Sequence, residues 1–331
     1  MTKNNKYLTH KVIPYDPNKI ENPDQLLENL KFCGFQGRNL GIAGDILYKM
    51  FKDDDCLTIS SLSGAMIPAG VGELICECLS NNLIDVIVST GANITHDFID
   101  AIMGTGHYLG DSNVNHDELY LNRINRIYDI FLPEDNCDNA EEELLNIALK
   151  LFPNKNIELT PSEFLHIIGL ELKARSILSI AAKKGIPIFI PAISDSELAL
   201  DLVKFTETYD FNIDFKVLKD VKKLASIISN ANSCGTFIIG GGTPRNWTQQ
   251  VFPYLENLKG GSRKKSEYGY KYSVRIHTAT EYDGGLSGCT LSESKSWEKY
   301  ALDARYISIW CDATIALPIL ITGVLQRMGI L

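Results

Sequence analysis

The 331-residue chain has no CxxC pair, no HxH or HExxH spacing and no G-x-G-x-x-G fingerprint. The first two absences exclude the common zinc sites, so no metal is expected. The third excludes the standard dinucleotide loop; "GTGHYLG" (104–110) comes nearest and misses the spacing. The eight cysteines are scattered, with only Cys76 and Cys78 close together. A chain this long needs no disulfide staples, so reduced thiols in a cytoplasmic protein are expected. The start, "MTKNNKYLTHK", has no signal-peptide apolar region, and "ISIWCDATIALPILI" is cut by Asp312 and Pro318. No membrane span is therefore expected. Positive charge is in deficit, with 32 Lys and Arg against 41 Asp and Glu, a net charge of -9. That balance argues against a nucleic-acid partner. Internal repeats and low-complexity linkers are absent too.

What is present is a strand–helix alternation. Residues 1–22 are polar and carry "IPYDPNKIENPD", which predicts an extended arm, mobile at its start. Helical patterns follow at 24–32 and 40–51. From about residue 56 short apolar runs recur: 83–92, 185–192, 235–244, 272–279 and 305–314. Each reads as a strand buried on both faces of a parallel sheet. Amphipathic stretches lie between them, at 161–184 and 218–230. The first opens on Thr160 as N-cap, Pro161 at the first helical position and Glu163 as the capping-box return. The expectation is an α/β, Rossmann-like doubly wound, mostly parallel sheet with helices on both faces and an N-terminal helical arm. Its divisions are 1–55 for the arm and helices and 56–331 for the α/β unit.

Ligands of such sheets bind at the carboxyl ends of the strands. That rule selects "STGAN", "PAISD", "GGGTP", "HTATEYDGG" and "CDAT". "IIGGGTPRN" suits close approach of a ligand to the backbone, with an anion at the helix start, or simply a tight turn. Asp195, Asp283 and Asp312 each follow a strand and suit ribose hydroxyls or ammonium groups, or helix caps. His96 and His107 read as bases or as satisfied polar residues. In "SESKSWEKY" (292–300), Glu293 and Trp297 are four apart and can grip a cation from one helical face. Lys299 does not share that face. To join them it must project from the helix end or line a site built with another subunit. Ser296 to Lys299 also spells S-x-x-K, but without the K-T-G or S-D-N partners of serine β-lactamases.

Together, "CGFQGRNLG", "DVIVSTGANITHDFIDA", "HYLG", "DELYLNRINRIYDIFLP", "TPSEFLHIIG", "IPIFIPAISD", "FIIGGGTPRN", "SWEKY" and "CDATIALPIL" resemble the deoxyhypusine synthase family, in order and spacing, from residue 33 to the C-terminus. The resemblance implies NAD as cofactor, a homotetramer with sites shared across dimer interfaces, and transfer of a 4-aminobutyl group from spermidine. The group passes through an imine on a lysine to an acceptor amine. Carried over by motif, that lysine is Lys299, a catalytic residue with Glu293. Trp297, Glu293, Gly284, Gly285, Asn246 and His96 fall on substrate-binding positions. Thr90, Gly91, Ala92, Asp195, Gly241, Thr278, Ala279, Asp283, Asp312 and Ala313 fall on cofactor-binding positions.

The departures from the eukaryotic synthases cluster in substrate recognition. Asn246 stands for a His, Leu286 for an Asp, Leu200 for another Asp with Asp201 adjacent, and Thr95 and His96 for two glutamates. The segment 64–68, "GAMIP", also differs. Losing carboxylate–ammonium bonds worth about 1.5 to 3 kcal/mol each should weaken spermidine binding unless Asp201, Glu281 or Glu197 compensates. The expected polyamine chemistry therefore has a protein lysine or a small amine such as putrescine or agmatine as acceptor. A homospermidine synthase-like activity is one form of it. The alternatives are a non-catalytic paralogue that activates a true synthase and an unrelated nucleotide-binding or agmatine-hydrolysing enzyme.

Overall fold

The computed structural model describes residues 8–258 and 268–331. Its central sheet has six strands, all parallel, in the order Tyr300–Trp310, Tyr270–His277, Ser233–Ile239, Cys56–Leu62, Val86–Ser89 and Ile188–Phe189. Counted along the chain, this is the 3-2-1-4-5-6 order of a Rossmann fold. The chain reverses direction between Cys56–Leu62 and Ser233–Ile239, which places the ligand crevice at the carboxyl ends of those two strands.

The expected strands all form, though shorter than or shifted from their apolar runs. The central strand, Cys56–Leu62, is the one that the apolar-run criterion does not select. Thr58, Ser60 and Ser61 interrupt its pattern, yet all three are buried. Pairing on both sides satisfies the backbone, while the buried Ser60 and Ser61 hydroxyls have no hydrogen-bond partner among the described residues.

Alternate residues of the strands feed two cores. Leu62, Ile87, Phe237 and Val274 face a large one, packed by helices that include Phe35–Lys52, Gly91–Met103 and Ala313–Arg327. Ile59, Val86, Val88 and Ile238 face a second, closed by helices Val217–Asn230 and Gly242–Leu258. The helices on both faces are those expected of a doubly wound sheet.

The stretch 161–184 is two helices rather than one, Pro161–Glu171 and Ile177–Lys184. The first carries the expected capping box of Thr160 and Glu163. The second is restarted by Ser176, which caps it with Ser179. Its opening N–H groups at Ile177 and Leu178 donate to buried Asp97 at 2.9 and 2.8 Å. Burial pushes the Asp97 carboxyl up to about 6.

At the N-terminus, residues 8–16 form no helix, and a short 3-10 turn spans Pro17–Lys19. The start of the expected arm, residues 1–7, lies outside the described residues. Helices Pro23–Leu30 and Phe35–Lys52 lie against Ala313–Arg327. Leu27 is buried in the large core, and Arg327 bonds Asp24 and Asp45 at 2.7 Å each. A small antiparallel sheet of Tyr108–Leu109, Ile124–Ile127 and Ile130–Pro133 stands apart from the main one.

Candidate active site

Lys299 sits in a cavity of about 400 Å³ on the side of the sheet covered by helix Gly242–Leu258. Glu293, Trp297, Asn246, Asp283, Gly284, Gly285 and Leu286 line the same cavity. The local fold explains how. Thr290 caps a short helix, Leu291–Ser296, and Trp297 ends it. Glu298 then takes a left-handed φ of 61°, which turns the chain into the edge strand Tyr300–Trp310. Lys299 thus projects beyond the helix end into the pocket that Glu293 and Trp297 line. Ser296 instead turns its hydroxyl back to the Glu293 carbonyl at 2.7 Å, away from any S-x-x-K role.

The lysine is only 8% exposed, and its Nζ donates to Asn246 Oδ1 at 3.1 Å. Burial pushes its pKa below the usual lysine range; nearby Cys289 and Glu293 oppose that shift and Arg245 adds to it. A less protonated amine is a better nucleophile toward a carbonyl or imine carbon. Trp297, by contrast, is 64% exposed at the cavity wall and free to stack on an incoming cation.

Two buried arginines complete the surroundings: Arg245, from "IIGGGTPRN", and Arg275. Arg245 lines the cavity and donates to Ser294 Oγ at 3.0 Å. Arg275, fully buried, donates to three carbonyls: Gly240 at 3.0 Å, Cys289 at 2.8 Å and Ser287 at 2.5 Å. It therefore ties the triple-glycine turn to the Gly284–Cys289 loop. Burial, with Arg245 nearby, pulls its pKa down to about 9. Its sequence signal is a charge inside the apolar run "YSVRIHTA".

The other group of expected residues gathers at the strand ends. Thr90 is the N-cap of helix Gly91–Met103, and its side chain makes no cap hydrogen bond. A Cβ on Gly91 would lie 2.2 Å from Ser196 Cβ and 3.4 Å from the Asp195 carbonyl oxygen. Glycine is what allows the "STGAN" and "PAISD" turns to approach this closely. Asn93 holds the 64–68 segment by accepting from Met66 N at 3.0 Å, and it donates to Thr90 Oγ1 at 3.2 Å. Ser63 donates to the Gly241 carbonyl at 2.5 Å, bridging the strand ends on either side of the switch point.

At the far edge, Trp310 Nε1 donates to the Ala279 carbonyl at 3.1 Å, beside Thr278. Asp312 caps helix Ala313–Arg327, accepting from Thr314 N at 2.8 Å, so the cap reading of this residue holds. His277 was in neither group. Its ring is buried against Trp310 at 5.0 Å, and burial, aided by Arg275 and Arg245, pushes its pKa down to about 4.

His96, Asp201 and Glu197, expected on the substrate side, lie away from the lysine cavity. His96 bonds His107 instead. Asp201 lines a separate cleft with Glu197, Glu141 and Thr95. Burial pushes its carboxyl up to about 7, with Glu141 and Glu197 adding to the shift. Of the assigned cofactor positions, only Asp283 lines the lysine cavity.

Fold and cavity define a Rossmann-type α/β protein with a switch-point crevice and, beside it, a pocket built around a buried amine. The chain belongs to the deoxyhypusine synthase family: the family model for deoxyhypusine synthase matches residues 25–324. An Archaeoglobus fulgidus protein named probable deoxyhypusine synthase 2 is 37% identical, over 88% of this chain and 94% of the relative. One of the same name from Methanosarcina mazei is 33% identical, over 95% and 90%. A Chlorobaculum tepidum deoxyhypusine synthase-like protein is 36% identical, over 89% and 84%. The fold matches a crystal structure from Entamoeba histolytica, described as a deoxyhypusine synthase, with a TM-score of 0.63 at 18% identity, covering 94% of this chain and 96% of that one. Among the described residues no helix is long and apolar enough to cross a membrane.

Proposed function

We propose that this chain is an NAD-dependent aminobutyltransferase that carries the 4-aminobutyl group of a spermidine-type donor on Lys299. The observation that carries the reading is the buried, less basic Lys299 sharing one cavity with Glu293 and Trp297. Glu293 and Trp297 hold the donor's cationic end by charge and by cation–π contact. The Lys299 amine attacks the donor's imine carbon, 1,3-diaminopropane leaves, and the aminobutyl group remains as a lysine imine. An acceptor amine then displaces Lys299 from that carbon.

The strand-end residues support the cofactor. Gly91 and Ala92 open a helix whose N-cap, Thr90, makes no side-chain cap hydrogen bond, which leaves their N–H groups suited to a phosphate. Asp195, Gly241, Thr278, Ala279, Asp283, Asp312 and Ala313 complete the assigned set. NAD, when bound, accepts a hydride from the donor and returns it to the product. Since the assigned cofactor positions other than Asp283 do not line the Lys299 cavity, we place the working site between two copies in a homotetramer.

Leu286 and Asn246 line the cavity where eukaryotic synthases place an Asp and a His, and this favours a small amine as acceptor. The test is incubation with NAD, spermidine and putrescine, followed by mass analysis. Homospermidine and diaminopropane are expected, with borohydride trapping a butylamine on Lys299. Efficient labelling of a translation-factor lysine, with no small-amine product, would overturn the acceptor assignment. An adduct on another residue would overturn the nucleophile.

A further inference from the structure

The motif nearest to a phosphate loop, "GTGHYLG", does something else. Helix Gly91–Met103 ends on Gly104, whose φ of 80° turns the chain back along the helix. Asp100 Oδ1 accepts from the Gly106 N–H at 2.7 Å, and Asn136 Nδ2 donates to the Gly106 carbonyl at 2.8 Å. That fastening sets His107 beside the helix. His107 Nδ1 then lies 2.8 Å from Asp100 Oδ1, and His107 Nε2 lies 2.9 Å from His96 Nδ1. The result is an unbroken chain from a carboxylate through two imidazoles.

Donor and acceptor rules orient the chain. An ionised Asp100 only accepts, so His107 carries its proton on Nδ1. Its Nε2 then accepts, so His96 must carry its proton on Nδ1 as well. His96 Nε2 is left with a lone pair, and no described residue bonds it. Ala92, His96 and Asp100 are spaced by four and share one face of the helix. Helix side chains lean toward the N-terminus, so His96 leans over the turn that Ala92 opens.

We propose that His96 Nε2, on the strand-end side of the site shared between two copies, is the base that takes the proton from the substrate ammonium, with His107 and Asp100 as its positioning residues; this rests on the aminobutyl-transfer reading. The proton leaves the substrate nitrogen for His96 Nε2. The His96 Nδ1 proton passes to His107 Nε2, and the charge comes to rest on the His107 imidazolium beside the Asp100 carboxylate. No electrons are transferred in this step. Burial holds the isolated His96 ring neutral, its pKa pushed down to about 4, with His107 adding to the shift and Asp100 opposing it. Passing the charge inward removes that penalty.

Other charged groups near this helix are already engaged. Asp97 is bound to the N–H groups of Ile177 and Leu178. Glu197, Asp201 and Glu141, from helices Glu197–Thr208 and Glu134–Leu151, line the separate cleft by Thr95.

Histidine ¹⁵N NMR on the full chain tests the relay directly. Both His96 and His107 should be Nδ1–H tautomers at pH 7.5. Asp100→Asn, whose Oδ1 can still accept from both the Gly106 N–H and His107 Nδ1, should keep both tautomers at unchanged fold while removing the carboxylate charge. In the transfer assay with NAD and spermidine, His96→Gln should lower turnover on the order of 100-fold. NAD affinity should be unchanged. Asp100→Asn should lower turnover and move the acid limb of the pH profile. A His96 protonated on Nε2 in the wild type, or unimpaired turnover in His96→Gln, would overturn the relay. Wild-type protein that turns over no polyamine defeats the aminobutyl reading, while the tautomers still decide the relay.

Discussion

The cavity around Lys299 and the cleft around Asp201 meet one electrostatic problem with opposite signs. In the first, a lysine is buried near Arg245, and its pKa falls. In the second, Asp201 is buried among Glu141 and Glu197, and its pKa rises to about 7. Both groups are driven toward neutrality because water is withheld from the charged form. The difference lies in the neighbours. Lys299 has a neutral hydrogen-bond partner, Asn246, which suits an amine that must be a nucleophile. The Asp201 cleft has a counter-ion, since Lys204 pairs with Glu141 at 2.6 Å.

The comparison breaks most severely if Lys299 is dispensable. Lys299→Ala should lower transfer by at least about 1,000-fold while NAD binding and the melting temperature stay near wild type. Full activity in that variant would remove the cavity from the chemistry.

Arg275→Met tests the frame rather than the amine. Three buried carbonyls lose their donor, so a stability loss of about 2–4 kcal/mol is expected in urea unfolding. Unchanged stability would show that the Gly284–Cys289 loop does not need the clamp.

Arg245→Gln removes the cation beside Lys299. The lysine pKa should rise, and the pH at which transfer reaches half its maximum should move up with it. An unmoved pH profile would assign the lowered pKa to burial alone.

Asp201→Asn should have the smallest effect. The folded carboxyl binds its proton more tightly than the unfolded one, so its stabilising contribution is present at low pH. That contribution is lost between about 3.8 and about 7. The Asn variant should match the wild type near pH 4 and be more stable at pH 8, on the order of 1 kcal/mol. Equal stability at both pH values would mean that Asp201 is solvated.

Much of this was legible in the residues. Runs such as "DVIVS" and "TFIIG" announce buried parallel strands because a strand covered on both faces is mostly apolar. The Thr160 cap and the Gly91 turn are equally local. Cys56–Leu62 was hidden because Thr58, Ser60 and Ser61 break its apolar run although all three are buried. The break at 172–176 was hidden because Ser176 and Asp97, far apart in sequence, together satisfy the new helix start. The use of "GTGHYLG" was hidden because glycine spacing reports backbone freedom, not what the freedom is used for.

By itself the sequence determined the alternation of strands and helices, and it singled out Lys299, Glu293 and Trp297 as residues of one motif. The alternation and the Glu293–Trp297 pairing follow from periodicity and local chain geometry, which a short window contains; Lys299 was singled out only through the resemblance to the family. Only the tertiary structure decided that Lys299 clears the helix end to share their cavity, that Arg275 clamps two distant loops, and that His96 meets His107. These depend on burial and on the direction of side chains brought together from separate elements, and the interactions that set them have no counterpart along the chain.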